Sequence, residues 1–263
     1  MKSVYLKVFL NYVQLATLTA SFKLSWPDQV QSLLSFQSSA GDASQQFLSF
    51  DCFLKDKDTN VEYFKILLMS LLPFIVILSS LGFWGSYSLY KQSTKTVKQK
   101  LLQTLLVLLF MVHPNVVKTM FSAFSCLEID PDEYWLRSDL EMRCWNQIHM
   151  RHTLGIALPG LLVWGISIPL LTMLNLVTLR KKLHLRSVKE QYSFLFIGYK
   201  TSHFYWELVI LYRKIVIAFI SVFLANISVK VQALTVMLVL LASLVLQIRY
   251  HPFLLPELNE LEF

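Results

Sequence analysis

Apolar residues in this chain are gathered into long runs broken by short polar connections. They do not follow the strict alternation of half-buried strands or the single apolar stripe of a surface helix. The runs cover about residues 4–22, 63–90, 101–124, 153–179, 204–225 and 229–248. Each approaches or exceeds the roughly 20 apolar residues that cross a hydrocarbon layer about 30 Å thick. The pattern predicts an all-α fold, a polytopic membrane bundle of about six helices spanning residues 1–253 and followed by a short acidic tail at 254–263 with Glu257, Glu260 and Glu262. The first run stops at Trp26-Pro27 and is too long for the core of a signal peptide.

Several runs carry their own interruptions. Pro73 sits inside the second, His113-Pro114-Asn115 inside the third, and Pro159-Gly160, Trp164-Gly165 and Pro169 inside the fourth. A proline removes one helical hydrogen bond and presses on the carbonyl four residues back, so Pro73, Pro114, Pro159, Gly160 and Pro169 are expected hinges, with the fourth run bent or locally unwound. Freed backbone of this kind survives in lipid only where other protein groups or water satisfy it. The last two runs are separated by a few residues around Asn226 and Ser228, which predicts a tight antiparallel hairpin.

Composition supports the membrane reading: of 263 residues, 55% are hydrophobic and 16% charged, with a mean hydropathy of +0.51. A soluble domain carries about a quarter charged residues. The net charge of +7 changes the picture only through its placement. Lys91, Lys95, Lys98 and Lys100 fall in one connection, and Arg180, Lys181, Lys182, Arg186, Lys189 and Lys200 in another, which puts both on the cytoplasmic side. The connection holding Glu128, Asp130, Asp132, Glu133, Asp139 and Glu141 is acidic. Residues 23–62, 125–152 and 226–228 are therefore expected to be extracellular or lumenal, and both termini cytoplasmic, in a plasma membrane or endomembrane. The expected partner is the lipid bilayer. Basic residues interleaved with aromatics outside the runs are lacking, so nucleic acid is not an expected partner.

Cys52, Cys126 and Cys144 all fall in the connections assigned to the outer side, where thiols favour a disulfide. Cys126 with Cys144 would close one loop, and Cys52 with either would tie two loops together. Asn226-Ile227-Ser228 is a glycosylation sequon on the same side, too close to the membrane for efficient use.

The fifth run is the richest in candidate chemistry, because it needs Glu207, Arg213 and Lys214 to reach spanning length. Glu207 and Lys214 are seven apart and share a helix face, with Arg213 one step around. Ionisable groups at such depth face a partner or water, so these residues read as the lining or gate of a pore, or else as Arg213 and Lys214 snorkelling to the headgroups. His113 and Asn115 form a second polar break, suited to a hydrated cavity or to a hydrogen bond between packed helices. Asn11 and Gln14 share one face of the first run and are expected to bond across helices. Cys144, His149 and His152 match no zinc spacing and lie beside Arg143 and Arg151, so no metal is expected. No phosphate loop, nucleophile elbow or paired intramembrane carboxylates occur, which argues against an enzyme and gives no reason to expect a cofactor.

Certain stretches, read together, carry a resemblance: LKVFLNYVQLATLTASFKLSWP, SFQSSAGDASQQFLSFDCFL, VHPNVVKTMFSAFSC, ALPGLLVWGISIPLL, FYWELVILYRKIVIAFISVFL and LQIRYHPF. They resemble the transmembrane region of the large TRP-like proteins of ciliates, oomycetes and other protists, related more distantly to fungal TRP-like and polycystin-type proteins. The resemblance implies a cation channel, in some members calcium-permeable, or a sensor-like protein. It also implies a long extracellular region upstream of Met1, so the chain is expected to be a fragment. Cys52, Cys126, Cys144, Glu207, Arg213 and Lys214 match the shared pattern. The Asn226 to Ser228 connection is too short for the pore loop of a tetrameric channel, although assembly of identical copies fits the resemblance. The expected activity is cation permeation or its control. The alternatives are a receptor-like or scaffold anchor for an extracellular region, and a small-molecule transporter working at Pro159-Gly160.

Overall fold

A computed structural model describes residues 2–20, 22, 28–29, 32, 61–91 and 94–261. Its helices are α1 (Lys2–Ala20), α2 (Val61–Lys91), α3 (Thr94–Ser122), α4 (Gln147–Lys182), α5 (Arg186–Phe196), α6 (Trp206–Phe223), α7 (Val229–Tyr250) and α8 (Pro256–Leu261). Among the described residues, five helical stretches are long and apolar enough to cross a membrane: Glu62–Tyr90, Val97–Ser122, Gln147–Lys182, Thr201–Asn226 and Val229–Tyr250. Helix α1 has 19 residues, but its lysines, Asn11 and Gln14 dilute its apolar character, and it is not one of the five. The outward faces of α4 and α7 are apolar and exposed, as Leu170, Leu174, Leu234, Leu238 and Leu241 illustrate.

Helix α6 is the axis of the packing, with 44% of its apolar stretch buried against 17% for α7. Its far half (Ile217, Ala218, Ile220) packs against Leu18 and Phe22 of the first segment and Val236 of α7. Its near half (Trp206, Ile210) packs with Val4, Val8, Tyr199, Phe253 and Leu258. Helix α1 thus runs alongside α6 in the same direction. Its beginning meets α8 at one end of the bundle, where Tyr5 also donates to Glu257 at 3.3 Å. A second core joins α2, α3 and α4 through Tyr63, Ile66, Val117, Met120, Ala157 and Trp164. Gly160 permits the close approach of α3 and α4 there, since a Cβ would lie 2.9 Å from the Met120 sulfur.

The 125–152 connection, expected to be a loop, is an ordered cap, so the fold is not purely helical. It forms a three-stranded antiparallel meander, β1 (Cys126–Asp130), β2 (Glu133–Leu136) and β3 (Asp139–Arg143), with bulges in both pairings. Leu136 and Met142 point into the α2–α3–α4 core and fix the sheet on the bundle. Cys126 and Cys144 are joined in a disulfide, bracketing the meander. Cys52 lies outside the described residues, as does most of the 23–62 connection.

The basic connection after α4 also departs from expectation, because residues 186–196 form the amphipathic helix α5. It packs on α3 through Phe110–Phe194 at 5.6 Å and through a hydrogen bond from Gln103 to Ser193 at 3.3 Å. The acidic tail is no free extension either, since residues 256–261 form α8 and Leu258 is buried. The expected hairpin is present: α6 passes through a short turn at Leu224–Asn226 to Ser228, which caps α7 by accepting from the Lys230 amide at 3.3 Å.

The prolines lie in two kinds of helical setting. Pro73 and Pro114 are buried within continuous α-helices. Around Pro159 and Pro169, α4 widens into π-helical segments at Thr153–Ala157 and Leu161–Ser167. A π turn absorbs one extra residue and leaves nearby carbonyls in need of donors.

Candidate functional site

The residue positions that make α6 unusual converge on α1. Glu207 and Lys214 share a face, as their spacing predicts, and both are buried. Lys7 of α1, which the sequence reading passed over, places its ammonium 2.6 Å from Glu207, with the two side chains 3% and 2% exposed. The Tyr199 hydroxyl donates to the same carboxylate at 2.9 Å, and Lys7 also donates to the Phe194 carbonyl at 2.9 Å. The Lys7 ammonium stands 4.3 Å from the Tyr199 ring centroid, close enough for a cation–π contact. A buried charge of either sign is tolerable only with such compensation, so this cluster accounts for both.

Two turns further along, Lys214 donates to Asn11 at 2.7 Å and to Gln14. Gln14 in turn donates to the Met111 carbonyl of α3 at 2.9 Å, so one amide links α1, α3 and α6. Lys7, Asn11 and Gln14 stand at i, i+4 and i+7, one helical stripe that meets both Glu207 and Lys214 of α6. That stripe was the missed signal: Lys7 completes the face that Asn11 and Gln14 begin. Lys214 turns inward to α1, and Arg213 is half-buried one step around the helix. Between the two clusters lies a cavity of about 10 Å³, lined by Lys7, Asn11, Gln14, Met111, Glu207 and Lys214 among others. A hole of that size holds about one water.

His113 sits apart from this seam, buried against α4, with Nε2 2.7 Å from the Trp164 carbonyl. A carbonyl only accepts, so Nε2 carries the proton. Its role follows from the π segment: the residue five beyond Trp164 is Pro169, which has no N–H to offer. His113 supplies the donor that the proline withholds. Asn115 is half-buried on the same helix.

At the sheet end, Arg137 donates to Asn226 Oδ1, and Asn226 Nδ2 donates to Ser125 Oγ at 3.2 Å and to the Cys126 carbonyl at 3.3 Å. The 125–152 and 226–228 connections therefore meet at one end of the bundle. Burial lowers the Arg137 guanidinium from its usual pKa. Cys126, Cys144 and His149 bring potential ligand atoms within 4.8 Å of one another. The sulfurs are spent on the disulfide, while His149 Nδ1 accepts from the Trp145 amide at 3.3 Å and Nε2 lies 3.1 Å from the Ala123 carbonyl. His152 stacks on Tyr63 with ring centroids 4.2 Å apart.

With this geometry in hand, one similarity bears on the chain. It is similar to cysteine repeat modular protein A of Toxoplasma gondii. The two are 29% identical over 136 residues, a stretch that covers 49% of this chain and 4% of that relative's length. No family model matches the chain, and no solved structure matches it.

Proposed function

We propose that the chain is the membrane bundle of a larger protein, a non-conducting anchor that holds an external modular region. The observation that carries this reading is the inward pairing of the charged groups along the α1–α6 seam. Its ionisable groups Lys7, Glu207 and Lys214 are buried and paired across helices, with room for about one water among them. A permeation path needs continuous hydration or a ring of coordinating groups. A seam of this kind instead fixes α1 in register along α6. The small share of the Toxoplasma relative that the match covers, and that relative's description as a modular protein with cysteine repeats, fit a bundle serving a much longer polypeptide.

In this reading α1 enters the membrane as a sixth helix, its polar stripe turned inward against α6. Both termini lie on the cytoplasmic side with the basic connections, and the disulfide-bracketed sheet caps the outer face. The chain is integral to a plasma membrane or endomembrane.

Cation permeation or its control, as in TRP-like proteins, is the second reading. It is favoured by one observation: charged groups and a water-sized hole lie on a single seam deep in the bundle, where a change of register between α1 and α6 would join them into a wet path. Cation flux, including calcium, through the full chain in sealed liposomes separates the two. The anchor reading expects flux at the level of empty vesicles under voltage, stretch or calcium. Flux that changes selectivity in a Glu207→Ala, Arg213→Ala double variant would replace it with the channel reading.

A further inference from the structure

A second cavity lies at the other end of α7, away from the seam. It measures about 620 Å³ and is lined by Lys200, Leu244, Gln247, Ile248, His251 and Glu260 among others. That size is within the range of small-ligand sites. Its walls are fixed by backbone bonds: Lys200 donates its amide to Pro252 at 2.8 Å, and Leu254 donates to Gly198 at 2.8 Å. Asn259 is consumed in the same brace, accepting from the Phe253 amide at 3.1 Å and donating to the Leu255 carbonyl at 3.3 Å.

The chemistry of the lining is divided. Leu244 and Ile248, one turn apart on α7, continue the exposed apolar face of Leu234, Leu238, Leu241 and Val245 into the cavity, and Leu254 stands exposed at its mouth. The polar side gathers Lys200, His251 and Gln247 with Glu260. Gln247 is 4% exposed, and its Oε1 accepts from Trp206 Nε1 at 3.1 Å. Its Nε2 is a buried donor with no hydrogen-bond partner among the described residues. Such an unmet donor is costly to bury, and a ligand acceptor oxygen that reached it would satisfy it.

We propose that this cavity binds one glycerophospholipid with an amine-bearing headgroup, its phosphate held by Lys200 and Gln247, its ammonium by Glu260, and one acyl chain laid along Leu244 and Ile248. The acyl side opens onto the face of α7 that the membrane reading places against hydrocarbon, and the charged side lies at the helix end where headgroups sit. A carboxylate beside two donors fits a zwitterion better than a plain anion. The proposal rests on the membrane-embedded reading, which is checked separately.

The test is native mass spectrometry of the full chain titrated with dioleoyl phosphatidylethanolamine, with dioleoyl phosphatidylglycerol and soluble glycerophosphoethanolamine as comparison arms. One phosphatidylethanolamine per chain is expected, with Lys200→Glu weakening it about tenfold or more, as loss of a charge-assisted hydrogen bond implies. Glu260→Gln should remove the preference over phosphatidylglycerol, and Leu244→Trp should block the site with Lys200 intact. An unchanged melting temperature of Lys200→Glu shows that it folds. Occupancy indifferent to Lys200→Glu, or displacement of the lipid by glycerophosphoethanolamine, overturns the proposal. Flotation of the chain with liposomes keeps the two readings apart: a chain that does not float loses the membrane reading, and one that floats with indifferent occupancy loses only the lipid site.

Discussion

The Lys7 ammonium and the Glu207 carboxylate, 2.6 Å apart and almost fully enclosed, join the first helix of the bundle to its most buried one. Neither charge would be stable there without the other. Glu207→Ala is expected to destabilise the protein by about 3–5 kcal/mol, because it strands Lys7 in a buried site. The double change Lys7→Met, Glu207→Leu should recover most of that loss, since an apolar pair of similar volume often replaces a buried ion pair without cost. Unfolding in detergent micelles, run as a double-mutant cycle, measures both. An equal loss in the single and double variants would mean that the ion pair itself, and not the stranding of Lys7, supplies the stability.

The bond between Cys126 and Cys144 closes a loop of sequence separation 18 around the sheet. Cys126→Ser is expected to lower stability by about 3 kcal/mol by loosening the unfolded-state constraint. Digestion without reduction should release the two cysteines in one cross-linked peptide. Recovery of Cys52 linked to either would show a different pairing.

Gly198 holds a φ of +90°, and a Cβ there would meet Val4 Cγ1 at 2.7 Å. Gly198→Ala combines backbone strain of about 1–2 kcal/mol with this clash. Adding Val4→Ala should relieve the clash and leave the strain, so rescue is expected to be partial. Complete rescue, read from melting temperatures of the three variants, would place the whole effect in the contact between α1 and the 198–200 turn.

Asn226 belongs to a sequon, yet its amide nitrogen already donates to Ser125 and Cys126 while its oxygen takes Arg137. Glycosylation would forfeit one of those donor hydrogens and push a sugar into the joint between the sheet and the α6–α7 turn. The protein made in glycosylating cells should therefore keep its mass after glycosidase treatment. A mass decrease that Asn226→Gln abolishes would show that this joint is open when the sequon is read.

Much of the architecture is legible in one dimension because long apolar runs and loop charge act locally: each helix length and each turn signal depends on its own residues. The sheet was not, because its strands are four or five residues long and carry acidic residues of weak strand preference. Helix α5 was hidden by its charges, which read as topology before they read as an amphipathic face. At the seam, Glu207, Lys214, Asn11 and Gln14 stand out by type, whereas Lys7 was obscured by its place near the start of its run.

The sequence alone determined that this chain is built of apolar helices long enough for a membrane, that charged residues interrupt the fifth run, and that the last two helices form a hairpin. Those properties follow from composition and spacing within single segments. Only the tertiary structure decided that Cys126 pairs with Cys144, that His113 serves the carbonyl left open by Pro169, and that Glu207 and Lys214 find their partners on α1. Partner choice among distant segments is set by which faces pack together. In this bundle that is the single stripe of α1 that meets both Glu207 and Lys214.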